Sequence, residues 1–296
     1  MLLFRSLLLL LLTLPSFAQK RPTDKTEWLS LFNGKDLSGW DIKITGYPLG
    51  ENFGNTYRVE NGMIRIAYDQ YERFDGRFGH MYYKQPFSHY ILKFDYRFTG
   101  NQTPGGAIWN VRNSGVMLHS QSAQSVELKQ DFPVSLEVQT LGGLSNGKSR
   151  PTANLCSPGT LVKQKGQLSP QHCIESTSKT YDGDQWVSVE VLVLGDSLIE
   201  HRIDGRVVLA YEHPVTDGVF ISKDNDYEKA GITNAAFWRA KAGMPLKEGY
   251  IALQAESHPI DFRNIKLKNL KGCMNRRAKN FKSYYVVPDE SACVFK

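Results

Sequence analysis

Polar and apolar residues alternate with a period of two through much of this chain, and no stretch holds a helical period beyond two turns. The clearest run is Tyr90 to Phe98: Tyr90, Leu92, Phe94, Tyr96 and Phe98 fall on one face, Lys93, Asp95 and Arg97 on the other. Successive side chains of a strand point to opposite faces, so this run reads as an antiparallel strand with one buried side. Residues 186–194 likewise gather Val187, Val189, Val191 and Val193. Asn61-Gly62 and Asp204-Gly205 sit between strand-like segments, where such pairs close hairpins. The pattern predicts an all-β chain folded as a two-sheet antiparallel jelly-roll sandwich with long loops.

The alternation stops between Leu141 and Thr180, where Gly, Ser, Pro, Asn and Lys dominate. A loop of that length is expected to be functional or clamped. A second irregular insert, His213 to Leu246, carries Asn225, Asp226, Asn234, Phe237 and Trp238 and is expected to form part of a binding rim. At the start of the chain, Arg5, the apolar run Leu7 to Leu12 and Ser16-Phe17-Ala18 have the form of a cleavable signal peptide. The expected organisation is a signal peptide over 1–18, one β-sandwich domain over 19–271, and a small disulfide-closed segment over 272–296. No later segment is apolar for long enough to cross a bilayer as a helix. Export to the periplasm is expected, with an extracellular location as the alternative.

Export changes the reading of Cys156, Cys173, Cys273 and Cys293. Four cysteines in an oxidising compartment predict disulfides, and pairing in chain order is one of three connectivities. Zinc held by Cys173 and its neighbour His172 is disfavoured because no C-x-x-C spacing is present. The formal charge of +6 raises the question of nucleic acid. Eight basic and two acidic residues lie from Lys266 to Lys296, which leaves the body close to neutral. A basic tail with no recognition motif argues against a nucleic-acid partner.

Candidate chemistry lies on strands whose opposite face is apolar. Val134, Leu136 and Val138 alternate with Glu137 and Gln139; Asn113, Gly115, Met117 and His119 share a face opposite Val116 and Leu118. Gln254 and Glu256 stand opposite Ile251, Leu253 and Ala255, and Gly115 permits close approach to the sheet. If these strands are neighbours, they build a patch suited to a hydroxyl-rich ligand. No G-x-S-x-G elbow, H-E-x-x-H pair or phosphate-cradling glycine loop is present.

Several segments, in order, resemble one family: Leu31 to Trp40 (LFNGKDLSGW), Tyr57 to Ile66, Lys84, Asn113-Ser114-Gly115-Val116, Glu137-Val138-Gln139, Asp184-Gln185-Trp186, Gly249 to Gln254, and Phe262-Arg263-Asn264-Ile265. Together they resemble the 3-keto-disaccharide hydrolases, also called domain of unknown function 1080, over about residues 28 to 270. The resemblance implies a concanavalin A-like sandwich, bacterial export and action on sugars oxidised at C3. It departs at His119, where the family often has Arg, and in the elaborated loop from Gly142 to Lys179.

A 3-keto group acidifies the C2 hydrogen, so a base can remove it, the C1 aglycone leaves by elimination, and water adds back. The Glu-x-Asp-x-x-Glu arrangement of sandwich-fold glucanases is absent. The expected proton acceptor is Glu137 or His119, with Arg112, Lys84 and Arg263 as candidates for holding oxyanion charge. Asn113, Gln139, Gln254 and Glu256, with the aromatics Trp109 and Trp238, are the expected substrate binders. One base and one enolate stabiliser suffice for this chemistry; no cofactor is assigned, and a divalent metal held by Glu256 and His258 is an alternative stabiliser. The expected partners are a 3-keto-glycoside or disaccharide and an upstream sugar C3-dehydrogenase that supplies it. Two other readings stay open: a non-catalytic lectin-like module and a conventional glycoside hydrolase.

Overall fold

The computed structural model describes residues 27–295. The segment expected to be a signal peptide lies outside the described residues. Among the described residues the chain forms two large antiparallel sheets and almost no helix; the longest helix there, Ala235–Arg239, is barely one turn. The fold is the predicted all-β jelly-roll sandwich.

One sheet has ten strands. Its path runs Gln167–Ser169, Thr160–Gln164, Arg206–Thr216, Leu198–Ile203, Val187–Leu194, His89–Phe98, Ile260–Asn269, Met63–Ile66, Tyr57–Glu60, with Leu29–Ser30 added along Ile260–Asn269. The other sheet has seven, in the order Cys173–Ile174, Asn154–Cys156, Leu136–Leu141, Asn113–Ser120, Tyr250–Ala255, Gly79–Tyr83, Trp40–Ile44. The strand His89–Phe98 is half-exposed and buried at strictly alternate positions, as its sequence requires. Its buried side joins Val187, Val189, Val191 and Val193 and, from the facing sheet, Val116, Leu118, Leu136, Val138, Ile251 and Leu253 in one core. Each inner face supplies its apolar half, so each sheet keeps an outer face for other work.

Both hairpins form where the turn dipeptides stand. Asn61 and Gly62 take φ of 51° and 72°, Asp204 and Gly205 of 51° and 74°; two successive left-handed residues match the twist of the flanking strands. The long loop departs from expectation. It contains four short strands that extend both sheets at their edges, each too short to display a period. Both disulfides join cysteines in chain order, Cys156 with Cys173 and Cys273 with Cys293. The first links adjacent strands whose cysteines are direct partners. The second closes the C-terminal segment, in which Lys271–Gly272 pairs with Val287–Pro288. Among the described residues no helix is long and apolar enough to cross a membrane.

Candidate active site

The outer face of the seven-stranded sheet carries a cleft of about 350 Å³. Four strands make its floor. Glu137 lies directly opposite Met117 on one side and Cys156 on the other, and Gln139 opposite Gly115 and Asn154. Direct partners in an antiparallel pair share a face, so Asn113, Glu137, Gln139 and Cys156 all reach the same cavity, joined by Glu256, which directly follows the strand Tyr250–Ala255. The walls come from loops: Trp109, Phe132, Arg150, Pro158, His172 and Ile221.

Glu137 and Glu256 dominate the electrostatics. Both are buried, and among the described residues neither makes a hydrogen bond or ion pair; Glu256 Oε2 is sealed from solvent. Removing a carboxylate from water disfavours its charge. Burial pushes the Glu137 carboxyl up to about 8. Burial, together with the neighbouring Glu137 charge, pushes Glu256 well above the carboxylate range, while Arg150 opposes that rise. The two groups titrate as a pair. Gly115 makes room for Glu137: a Cβ there would collide with the Glu137 carboxyl.

Arg150 is the cation of the cleft. Its guanidinium donates to the carbonyls of Val111 at 2.8 Å, Arg112 at 3.1 Å and Gly142, which fixes a positive charge at the wall. Asn113 Oδ1, both amide atoms of Gln254 and His80 Nε2 are buried without partners. Gln254 and His80 are direct strand partners, and burial holds His80 neutral, with its pKa lowered to about 3. Gln139 accepts a bond from Asn154 at 3.0 Å. A floor of amide and carboxyl groups with free hydrogen-bonding capacity is suited to sugar hydroxyls.

The structure thus brings Asn113, Gln139, Glu256, Glu137 and Trp109 from the sequence-derived set into one cleft, leaves Gln254 fully buried beside its strand partner His80 and outside the cleft lining, and separates the rest. His119 was placed with Asn113 and Gly115 by alternation, but a bulge intervenes: Ser120 pairs with Tyr250 while Met117 pairs with Ala252, and His119 takes φ of 47°. Its ring turns to the Gly195 carbonyl at 3.0 Å, and it lines a different cavity with Trp238. Trp238 packs there against the Phe220 and Tyr227 cluster, and the second insert contributes Ile221 alone to the cleft. Arg112 is spent on Asp184 and the Gly183 carbonyl. Lys84 pairs with Asp41 at 3.4 Å on the edge strand. Arg263 lies on the outer face of the other sheet, its guanidinium 3.8 Å from the Trp186 ring and bonded to Asp95.

The residues do not fit a metal held by Glu256 and His258. Ser257 between them has φ of 77°, which breaks the alternation, and His258 stands edge-on to the core residue Phe98 at 5.6 Å. The described residues also bring Cys156, His172 and Cys173 within reach of one another, but both sulfurs are consumed in a disulfide.

Residues 27–268 match the 3-keto-alpha-glucoside-1,2-lyase-like domain. The chain belongs to that family. No curated protein matches it. Among solved structures it resembles a protein of Parabacteroides distasonis provisionally described as a glycosyl hydrolase, at 17% identity, covering 82% of this chain and 100% of that one with a TM-score of 0.47. A second from the same organism, described in the same terms, is 21% identical over 82% of this chain and 94% of the other, with a TM-score of 0.45. A carbohydrate-binding module from Bacillus subtilis is 13% identical over 84% and 99%, at 0.39. Family membership places the chain among carbohydrate-active proteins. Arg150, Phe132, Pro158, His172 and Ile221 were not among the expected site residues. The signal for Arg150 and His172 was the clamped long loop, which named a region and no residue.

Proposed function

We propose that this lyase-like domain cleaves 3-keto-glycosides, with Glu137 as the base that takes the C2 proton and Glu256 as the acid that protonates the leaving oxygen. The observation that carries the reading is the partnerless carboxyl pair in the cleft. A buried pair holding one proton supplies a base and an acid together. Burial raises both carboxyls, so the pair keeps a shared proton in the neutral range.

The C2–H electrons form the C2–C3 double bond of an enediolate, with the negative charge on the C3 oxygen. Collapse re-forms the C3 carbonyl, makes the C1–C2 double bond and breaks C1–O, whose oxygen takes the Glu256 proton. Water then adds its hydroxyl to C1 and yields its proton to Glu256, while Glu137 returns a proton to C2. Arg150, fixed by three carbonyls, supplies charge for the oxyanion without having to reorient. Asn113 and Gln139 hold the hydroxyls.

Purified protein should release aglycone from a 3-keto-glucoside, and Glu137→Gln and Glu256→Gln should each lower kcat/KM by roughly a hundredfold or more. Below about 8 the rate should climb with pH as Glu137 ionises, close to tenfold per unit for one titrating base. Full activity in both variants ends this assignment. A second reading rests on the same pair, because conventional glycoside hydrolases also use two carboxyls. There the groups flank the scissile bond, whereas Glu137 and Glu256 rise from one floor. Release from an unoxidised glycoside at a comparable rate would favour that reading.

A further inference from the structure

The turn that carries Trp109 into the cleft wall presents two apolar side chains that the fold leaves in solvent. Ile108 is 89% exposed and its neighbour Trp109 52%. They sit on the single turn Ile108–Asn110, which polar contacts pin at both ends. Gln102 Nε2 donates to the Ala107 carbonyl at 2.7 Å and to Ser257 Oγ at 2.9 Å. Asn113, a floor residue, donates to the Trp109 carbonyl at 3.3 Å, and Arg150 holds the Val111 carbonyl. Behind the turn, Trp109 lies near-parallel to Phe78 at 6.2 Å, and Phe78 meets Phe132 at 4.6 Å. The pair is therefore held out by a rigid mount tied directly to the site.

The cleft is chemically divided. Strand residues supply its polar floor, whereas the loop-borne lining includes Trp109, Phe132, Pro158 and Ile221, with His172 and the cation Arg150 as its polar members. A second sugar seated against that wall would leave hydroxyls without partners, which costs affinity. A flat apolar group would cover Ile108 and stack on Trp109.

We propose that Ile108 and Trp109 form the aglycone platform, and that the preferred substrate carries a flat apolar aglycone, an aryl ring above all, in place of a second sugar. This rests on the 3-keto-glycoside reading given above. The test compares kcat/KM for benzyl 3-keto-glucoside, whose alcohol leaves about as readily as methanol, methyl 3-keto-glucoside and a 3-keto-disaccharide, in the wild type and in Ile108→Ser and Trp109→Ala; Ile108 is exposed, so its variant keeps the fold. Burial of one large apolar group is worth roughly tenfold or more. The aryl substrate should therefore exceed the methyl one by at least about tenfold, and that ratio should fall toward one in both variants. A wild-type ratio near one, a ratio unmoved in both variants, or a preference for the disaccharide overturns the proposal. If no 3-keto substrate turns over, the catalytic reading fails and calorimetry with the unoxidised 4-nitrophenyl and methyl glucosides decides the platform. Tighter aryl binding that weakens in Ile108→Ser supports it, and equal binding overturns it.

Discussion

Glu137 is buried at a cost to stability. An acid kept protonated by burial binds more protons folded than unfolded, so stability is fully present below its unfolded pKa and declines as pH rises through the folded one. For Glu137 the window runs from about 4.5 to about 8. The wild type should lose several degrees of Tm across that window, and Glu137→Gln, neutral at every pH, should lose fewer, as scanning calorimetry would show. Equal slopes in the two proteins would mean that another group carries the dependence. Glu137 itself was legible in the sequence, because three alternating residues on each side fix its face. His119 was not: one extra residue opposite Tyr250 and Ala252 turns it away, and a bulge leaves no mark on the polar and apolar pattern. The same holds for His258, displaced by the left-handed Ser257.

At the scale of elements, strands long enough to show a period were readable and short ones were not. The run from Tyr90 to Phe98 and both hairpins stand where expected. Residues 154–156 and 173–174 pair inside what reads as loop, and they bring the Cys156–Cys173 bridge and His172 to the cleft. This strap shapes the wall as well as closing the chain. A disulfide at a sequence separation of 17 stabilises by about 3 kcal/mol through loop entropy. Replacing both cysteines by serine should lower stability by about that amount in denaturant titration and raise KM for the keto-sugar more than it lowers kcat. An unchanged KM would show that the wall keeps its shape without the bridge.

The whole molecule divides its labour between two sheets. The seven-stranded sheet carries the cleft, and the ten-stranded sheet carries paired surface charges such as Arg263 with Asp95 and Lys93 with Glu190. The sandwich class was legible because both sheets contribute alternating strands to one core. Which outer face holds the site was not, since Arg263 and Glu256 look alike as polar positions opposite apolar ones. Leu29–Ser30 enters along Ile260–Asn269, the strand from which the chain leaves toward its C-terminal segment. Lys282 of that segment pairs with Glu27, and Lys268 lies 4.1 Å from the Tyr284 ring. Both leads are thus gathered on the sheet that does not hold the cleft. The protein can accordingly be anchored through its C-terminal segment with the cleft outward: immobilised on a bead through a tag that follows that segment, it should keep its solution kcat/KM within about twofold, in line with the tolerance of chain ends remote from a site.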